Sequence, residues 1–435
     1  MNSDKNKILF IFPKWPVRSL WGQFADKFPA LGLLTIAAVT PPGYRISLTD
    51  ENIEDIDFST DADIIAISVM TPLADRAYAI AGVFRAKGKT VVLGGIHVSA
   101  LPDEAAAHCD SIVIGEGERS WLRLLSDYRA GSLKPRYQET EFLDMNTYTP
   151  PRRDILRPGK YLTTATIQLT RGCPHHCEYC SVTAMFGRKF RSIPVDDFVS
   201  DYLSLKERFV FIVDDNIASN KKTAFELFSK IENCGKWWGS QVPITVADDP
   251  KLLTAMQKSG CKILFIGFES LDEEILKDMG KTFLNPAKNA ERIKRIHDHG
   301  IAIQGSFMVG CDRDNEATFS NTYEFIVKNR IETFIISVLT PFPGIKMTEN
   351  MEKEGRIFSR DWSLYDMNTV VYRPKTMTPD ELQKRYNELN QALLRLPCIA
   401  RRVLKFRTHS IIMVPQNLGF RAAWKRTLSA RSAGH

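Results

Sequence analysis

The chain has no apolar run long enough to span a bilayer, which excludes a transmembrane helix as an organising element. Its start, Met1 to Lys7, leads directly into the short apolar run Ile8–Phe12 with no small-residue cleavage site behind it. No secretory signal is expected, and a cytoplasmic location follows by default. Cysteine is too sparse for a disulfide scaffold, with 8 in 435 residues. Acidic residues are missing from Arg395 to the end, where nine Lys and Arg residues lie. Without those nine, 49 basic residues oppose 51 acidic ones, so the net charge of +7 belongs to the tail. A basic groove through the body is not indicated, and no nucleic-acid partner is expected. Repeats and low-complexity tracts are also absent.

What remains is the composition of an ordinary globular protein, 44% hydrophobic and 25% charged, long enough for two or three domains. Short apolar runs at Lys7–Phe12, Tyr44–Thr49, Ile64–Met70, Thr90–Leu93 and Ser111–Ile114 alternate with helical patterns such as Ala74–Ala86 and Pro102–His108. That alternation predicts an α/β, doubly wound, parallel sheet over residues 1–125. Ligands of such sheets bind beyond the carboxyl ends of the strands, where Asp50-Glu51-Asn52, Gly94-Gly95 and Gly115-Glu116-Gly117-Glu118 fall. Residues 126–160 are rich in proline and polar residues and read as a linker. A second alternating set fills 161–345, with strands predicted at Ala165–Thr170, Phe209–Val213, Pro243–Val246, Ile263–Phe268, Ile301–Val309 and Phe334–Leu339. Six strands with helices between them predict a partial (β/α)6 barrel. Residues 346–435 read as a helical extension ending in the basic tail.

One segment carries chemistry: Thr170-Arg171-Gly172-Cys173-Pro174-His175-His176-Cys177-Glu178-Tyr179-Cys180, on a loop after the first barrel strand. Three thiolates at C-x3-C-x2-C spacing can curl around one [4Fe–4S] cubane and leave the fourth iron open. Two alternatives stand beside this reading. One is a zinc site completed by His175 or His176, for which no second spaced pair of ligands is present. The other is unligated thiols. The remaining cysteines, Cys109, Cys234, Cys261, Cys311 and Cys398, are scattered singly and read as small buried hydrophobes.

The C-x3-C-x2-C loop, with Tyr179 before its last cysteine, resembles the signature of radical S-adenosylmethionine (SAM) enzymes. In that family SAM chelates the open iron and is cleaved, on cluster reduction, to a 5′-deoxyadenosyl radical that abstracts hydrogen from substrate. The resemblance implies Cys173, Cys177 and Cys180 as cluster ligands and Tyr179 near the adenine. It implies SAM contacts from Asp214 and Asp215 after the second barrel strand, Glu269 after the fourth and Gln304 on the fifth. Carboxylates at strand ends are also common as helix caps. An electron donor such as flavodoxin or ferredoxin is implied as a partner.

A doubly wound domain ahead of such a barrel resembles the cobalamin-binding subgroup. Its Asp-x-His-x-x-Gly, Ser-x-Leu and Gly-Gly elements correspond here to Asp50-Glu51-Asn52, Ser68-Val69-Met70 and Gly94-Gly95. The resemblance implies cobalamin contacts from Asp50, Asn52, Ser68, Gly94 and Gly95. Asn52 stands where the family has a cobalt-ligating histidine, and an amide is no strong axial donor. His97 is the alternative ligand, or a loop residue with satisfied hydrogen bonds.

The function implied is cobalamin-dependent methylation of an unactivated carbon on a small-molecule substrate. Cyclisation, rearrangement or oxidation without methyl transfer is the second reading, and a non-catalytic metal-binding protein the third. No residue is singled out as catalytic beyond the cofactor contacts. The tail, Ile399 to Arg407 above all, predicts either a helix packed on the barrel or a basic face that meets an anionic membrane or an apolar, lipid-like substrate. Trp362 and Tyr365 are expected to close the barrel mouth or to serve packing.

Overall fold

The computed structural model describes residues 6–24, 28–175, 177–404 and 407–432. The first sheet consists of β1 (Lys7–Phe12), β2 (Arg45–Asp50), β3 (Ile64–Ser68), β4 (Thr90–Gly94), β5 (Ser111–Ile114) and β6 (Arg136–Gln138). Its order is β2-β1-β3-β4-β5-β6, and every pair is parallel. β1 and β3 are almost wholly buried because helices cover both faces, which is why they read as continuous apolar runs rather than alternating ones. Order reverses at β1, so the crevice beyond the ends of β1 and β3 is the binding position of this topology.

β6 corrects the sequence reading, which placed residues 126–160 in a linker. Arg136–Gln138 pairs with β5 and buries Tyr137, so the first unit extends past residue 125. Three residues at a sheet edge are too few to show a strand period.

The second unit contains β7 (Thr166–Ile167), the hairpin strands β8 (Thr170–Arg171) and β9 (Arg191–Ser192), β10 (Phe209–Ile212), β11 (Trp237–Val242), β12 (Cys261–Glu269), β13 (Ala302–Val309) and β14 (Thr333–Val338). The order β14-β13-β12-β11-β10-β7 is parallel throughout, an open six-stranded barrel wall. The third barrel strand is Trp237–Val242, whereas the β-branched run from Pro243 forms a 3-10 turn over Ile244–Asp248. Pro243 has no N–H to give the ladder and stops the strand where the sequence reading began it.

Strand alternation separates the two faces of the wall. Phe268 and Phe307 stack on each other and meet Phe325 of the helix Glu316–Lys328 on the outside. Phe265, Gly267 and Glu269 therefore face the interior, as do Gln304, Ser306 and Met308. Helix starts are set by short-range chemistry: Asp249 and Asp272 cap the helices Pro250–Lys258 and Glu273–Asp278, and Thr378 with Glu381 forms a capping box before Pro379–Leu393.

The extension packs inward. Arg402 is buried and donates to the carbonyls of Ile331 (3.1 Å), Glu332 (2.7 Å) and Leu393 (3.1 Å) and to Asn417 Oδ1 (2.9 Å). Arg421 donates to Leu394 O, Arg426 to Gln23 Oε1, and Arg431 to Arg18 O and Asn368 O. Much of the tail's basic charge thus serves internal carbonyl groups rather than a free surface. Lys405 and Phe406 lie outside the described residues. No helix among the described residues is long and apolar enough to cross a membrane. Trp362 and Tyr365 enter the core of the first unit, where Trp362 Nε1 donates to Glu104 Oε1 (2.9 Å), so they do not line the barrel mouth.

The two units are joined by a buried ion cluster. Arg171 of β8 reaches Glu116 (3.0 Å) and Glu118 (2.7 Å), which follow β5 in the first unit. Arg191 of β9 meets Glu116 at 2.8 Å and caps the carbonyls of Leu143 and Phe186. Removing one partner of such a set strands the opposite charge away from water. Glu116→Ala is expected to cost about 3–5 kcal/mol, seen as a lower urea midpoint. A midpoint equal to that of the unchanged protein would show that the cluster does not hold the units together.

Candidate functional site

The cysteine loop begins where β7 ends, and its entry is fixed by a carboxylate. Asp214, fully buried after β10, accepts from Leu169 N and from Thr170 Oγ1, both at 2.7 Å. Burial pushes its carboxyl up to about 7 against the pull of those donors. Both oxygens are engaged within the chain, so Asp214 ties β10 to the loop and presents nothing to a ligand. Gly172 follows at φ +86, where an added Cβ would run into the backbone carbonyl of Lys189. Only glycine takes that conformation and that closeness at once.

Cys173, Cys177 and Cys180 are half-buried and free of disulfides. Burial raises all three thiols, Cys180 to about 11, and neighbouring thiols raise Cys177 and Cys180 further. Ligation by a cation must therefore draw their protons off. Among the described residues no three His, Cys, Asp or Glu side chains converge as a single-ion cage. His175 stacks its ring on Phe283 at 3.9 Å instead of turning to the thiols, and His176 lies outside the described residues. The loop is anchored by Glu178 N donating to Met279 O and Met347 N donating to Glu178 O.

Beside the thiols stands a charged pair. Glu269 ends β12 at φ +58, beyond a shift of register, and its carboxylate lies 2.7 Å from Lys281 Nζ. Lys281 also lies over the Tyr179 ring, 5.8 Å from its centroid. Burial, then the Glu269 charge, holds the Tyr179 hydroxyl well above its ordinary range. Asp215 faces Cys173 and Cys180, and burial pushes its carboxyl up to about 6. The structure thus gathers the three cysteines, Tyr179, Asp215 and Glu269. Gln304 is not among them. It sits low on β13, accepting from Gln416 (3.2 Å) and Thr333 (3.4 Å), five residues before the strand end at Val309. Lys281 gave no sequence signal, being a lone lysine in a loop. Glu116 and Arg171 lay inside noticed segments, but their pairing needed the fold.

In the first unit, Asn52 is occupied by its neighbours. Its Nδ2 donates to Asp50 Oδ1 (2.7 Å) and Pro13 O (3.4 Å), and its Oδ1 accepts from Trp15 N (3.0 Å). It fastens the segment after β1 to the end of β2. Asp50 is buried and also accepts from Tyr161 Oη at 3.2 Å. His97 is buried, with Nε2 3.1 Å from Tyr78 Oη and 3.2 Å from Glu104 Oε1. Burial lowers its pKa. It is the satisfied residue of the two readings, not an open ligand. Gly95, at φ +109, packs so closely that a Cβ would meet Val69 O at 2.8 Å. Ser68 pairs with Gly94 across β3 and β4, and the next exposed side chain on that rim is Met70. The rim offers bare backbone and apolar surface, which fits a flat macrocycle and supplies no imidazole to a metal within it.

Two family patterns match the chain: Radical SAM superfamily over residues 167–326 and B12 binding domain over residues 18–125. The bacteriochlorophyllide d C-12(1)-methyltransferase of Chlorobaculum tepidum is 33% identical over 415 residues, covering 92% of this chain and 90% of that one. The bacteriochlorophyllide d C-8(2)-methyltransferase of the same organism is 31% identical over 372 residues, covering 80% and 81%. The solved structure of the radical SAM methyltransferase TsrM from Kitasatospora setae, with cobalamin and a [4Fe–4S] cluster, shares the fold with a TM-score of 0.72 at 13% identity, covering 99% of this chain and 100% of that one. The cofactor set is accordingly a [4Fe–4S] cluster, SAM and cobalamin, and the activity that of a methyltransferase. The chain belongs to the radical SAM superfamily, in the subgroup that carries a B12-binding domain.

Proposed function

We propose that the protein methylates an unactivated alkyl carbon of a tetrapyrrole, with Cys173, Cys177 and Cys180 holding the cluster. The observation that carries the site assignment is the gathering of these thiols with Tyr179, Asp215, Glu269 and Lys281 at the carboxyl ends of the barrel strands. When bound, the cofactors supply radical hydrogen abstraction and a transferable methyl group. The chain's own residues bind and orient. Glu269 and Lys281 present opposite charges side by side, which suits the zwitterionic methionyl end of SAM: the carboxylate for its ammonium, the ammonium for its carboxylate. The rim at Ser68, Gly94 and Gly95 receives cobalamin on its backbone, with Asp50 and Asn52 fixing the adjoining segment. Asn52 is engaged by Pro13, Trp15 and Asp50, so cobalt takes no ligand from it.

The tetrapyrrole reading is supported by the two relatives that act on bacteriochlorophyllide d. It is also supported by the apolar interior wall, where the Phe211 and Phe265 rings meet at 5.0 Å, tilted by 58°. An acidic one-electron donor is part of the same reading.

Cys177→Ala is expected to lower iron content after anaerobic reconstitution and to abolish SAM cleavage; full cleavage with the iron retained would remove the cluster assignment. Lys281→Ala is expected to weaken SAM binding about tenfold, near 1.4 kcal/mol, in an equilibrium titration. An unchanged affinity would detach Lys281 from SAM. With a chlorophyllide acceptor, the product should gain the mass of one CH2. An oxidised or cyclised product of unchanged carbon count would show non-methylating radical chemistry instead.

A further inference from the structure

Beside the cysteine loop stand exposed cations that have no ion-pair partner among the described residues. Arg188 and Lys189 lie between the helix Ser181–Phe186 and β9, and both are exposed. Arg119, on the helix Gly117–Arg129, is exposed as well. Among the described residues none of the three has an ion-pair partner. Their neighbours behave differently: Arg171 and Arg191 are held by Glu116 and Glu118, and Arg123 by Glu139. In a body whose charges nearly cancel, three free cations on one face are a local excess.

Arg119 stands at a cavity whose lining mixes polar and apolar side chains. Arg119, Phe142, Ala184 and Met185 line one cavity of about 290 Å³. Phe142 is 48% exposed, and its ring packs against Gly187, which adjoins Arg188. Of the carboxylates lining the cavity, Glu116 and Glu139 are paired, which leaves Glu141 free. The face is joined directly to the loop, since the Lys189 carbonyl rests on Gly172, the residue before Cys173.

We propose that Arg119, Arg188 and Lys189, around Phe142 and Met185, form the docking face for an acidic one-electron carrier protein. This rests on the assignment of the cluster to Cys173, Cys177 and Cys180. The carrier gives up one electron to the cluster held by this loop. No bond forms or breaks, and the carrier leaves oxidised. Rim cations raise the rate of encounter with an acidic partner and lose that effect as salt screens them. A small contact of mixed polarity with an adaptable methionine suits a partner that must leave after each electron.

The test uses the reconstituted full chain with two reductants, dithionite and reduced flavodoxin, and reads SAM cleavage. The double change Arg188→Glu with Lys189→Glu is expected to lower the flavodoxin-driven rate about tenfold or more and to remove its salt dependence. The dithionite-driven rate and the iron content should stay as in the unchanged protein. Arg119→Glu, on the other side of the face, should act in the same direction and covers the case in which the double change impairs folding. An equal loss with both reductants, or no loss with flavodoxin, would overturn the docking face. No cleavage by the unchanged protein with dithionite would overturn the cluster assignment itself.

Discussion

Arg171 and Arg191, held between Glu116 and Glu118, are the contact through which the first sheet and the cysteine loop share one frame. Arg171 precedes Gly172 and Cys173 by one and two positions, while Glu116 follows β5 by two. The carboxyl rim of one sheet is thereby set against the carboxyl rim of the other. A chemistry that moves a group between ligands of two domains needs this fixed spacing, because misplacement of reacting atoms is costly in rate. Buried charges are expensive to desolvate, so the set stabilises only while complete. That all-or-none character makes it a positioning device rather than a general source of stability.

The carboxylates of the barrel divide by burial and partner. Asp214 has donors on both oxygens and organises the loop from below. Glu269 is turned into the interior by a positive φ and balanced by Lys281, so a charge can be kept there without an unpaired penalty. Asp215 has neither arrangement and is raised by burial alone. Three acids that look alike in the sequence thus have three roles, decided by what surrounds each one.

The first unit shows the same sorting. Asn52, which stands where the family has a cobalt-ligating histidine, and His97, the alternative ligand, both turn into hydrogen-bonded networks. The rim left between them is glycine backbone and Met70. The tail resolves in a similar way. Arg402, Arg421 and Arg431 cap carbonyl groups, while Arg119, Arg188 and Lys189 beside the cysteine loop stay exposed, where overall charge counting gave no hint of them.

Much of the architecture was legible in the residue pattern. β1 and β5 were read at their observed bounds because a strand covered on both faces must be continuously apolar. The C-x3-C-x2-C loop was legible because ligand chemistry acts within a few residues. β11 was misplaced by a β-branched run whose leading proline ends a strand, and β6 was too short to show a period. The sequence by itself therefore determined the two parallel sheets, their order along the chain and the thiol loop, all of which follow from local spacing and burial. Only the tertiary structure decided that Arg171 meets Glu116, that Lys281 balances Glu269, and that Asp214 serves the backbone. These are contacts between residues up to 55 positions apart, as Glu116 and Arg171 are, and side chains alone do not encode which distant partner desolvation will force upon them.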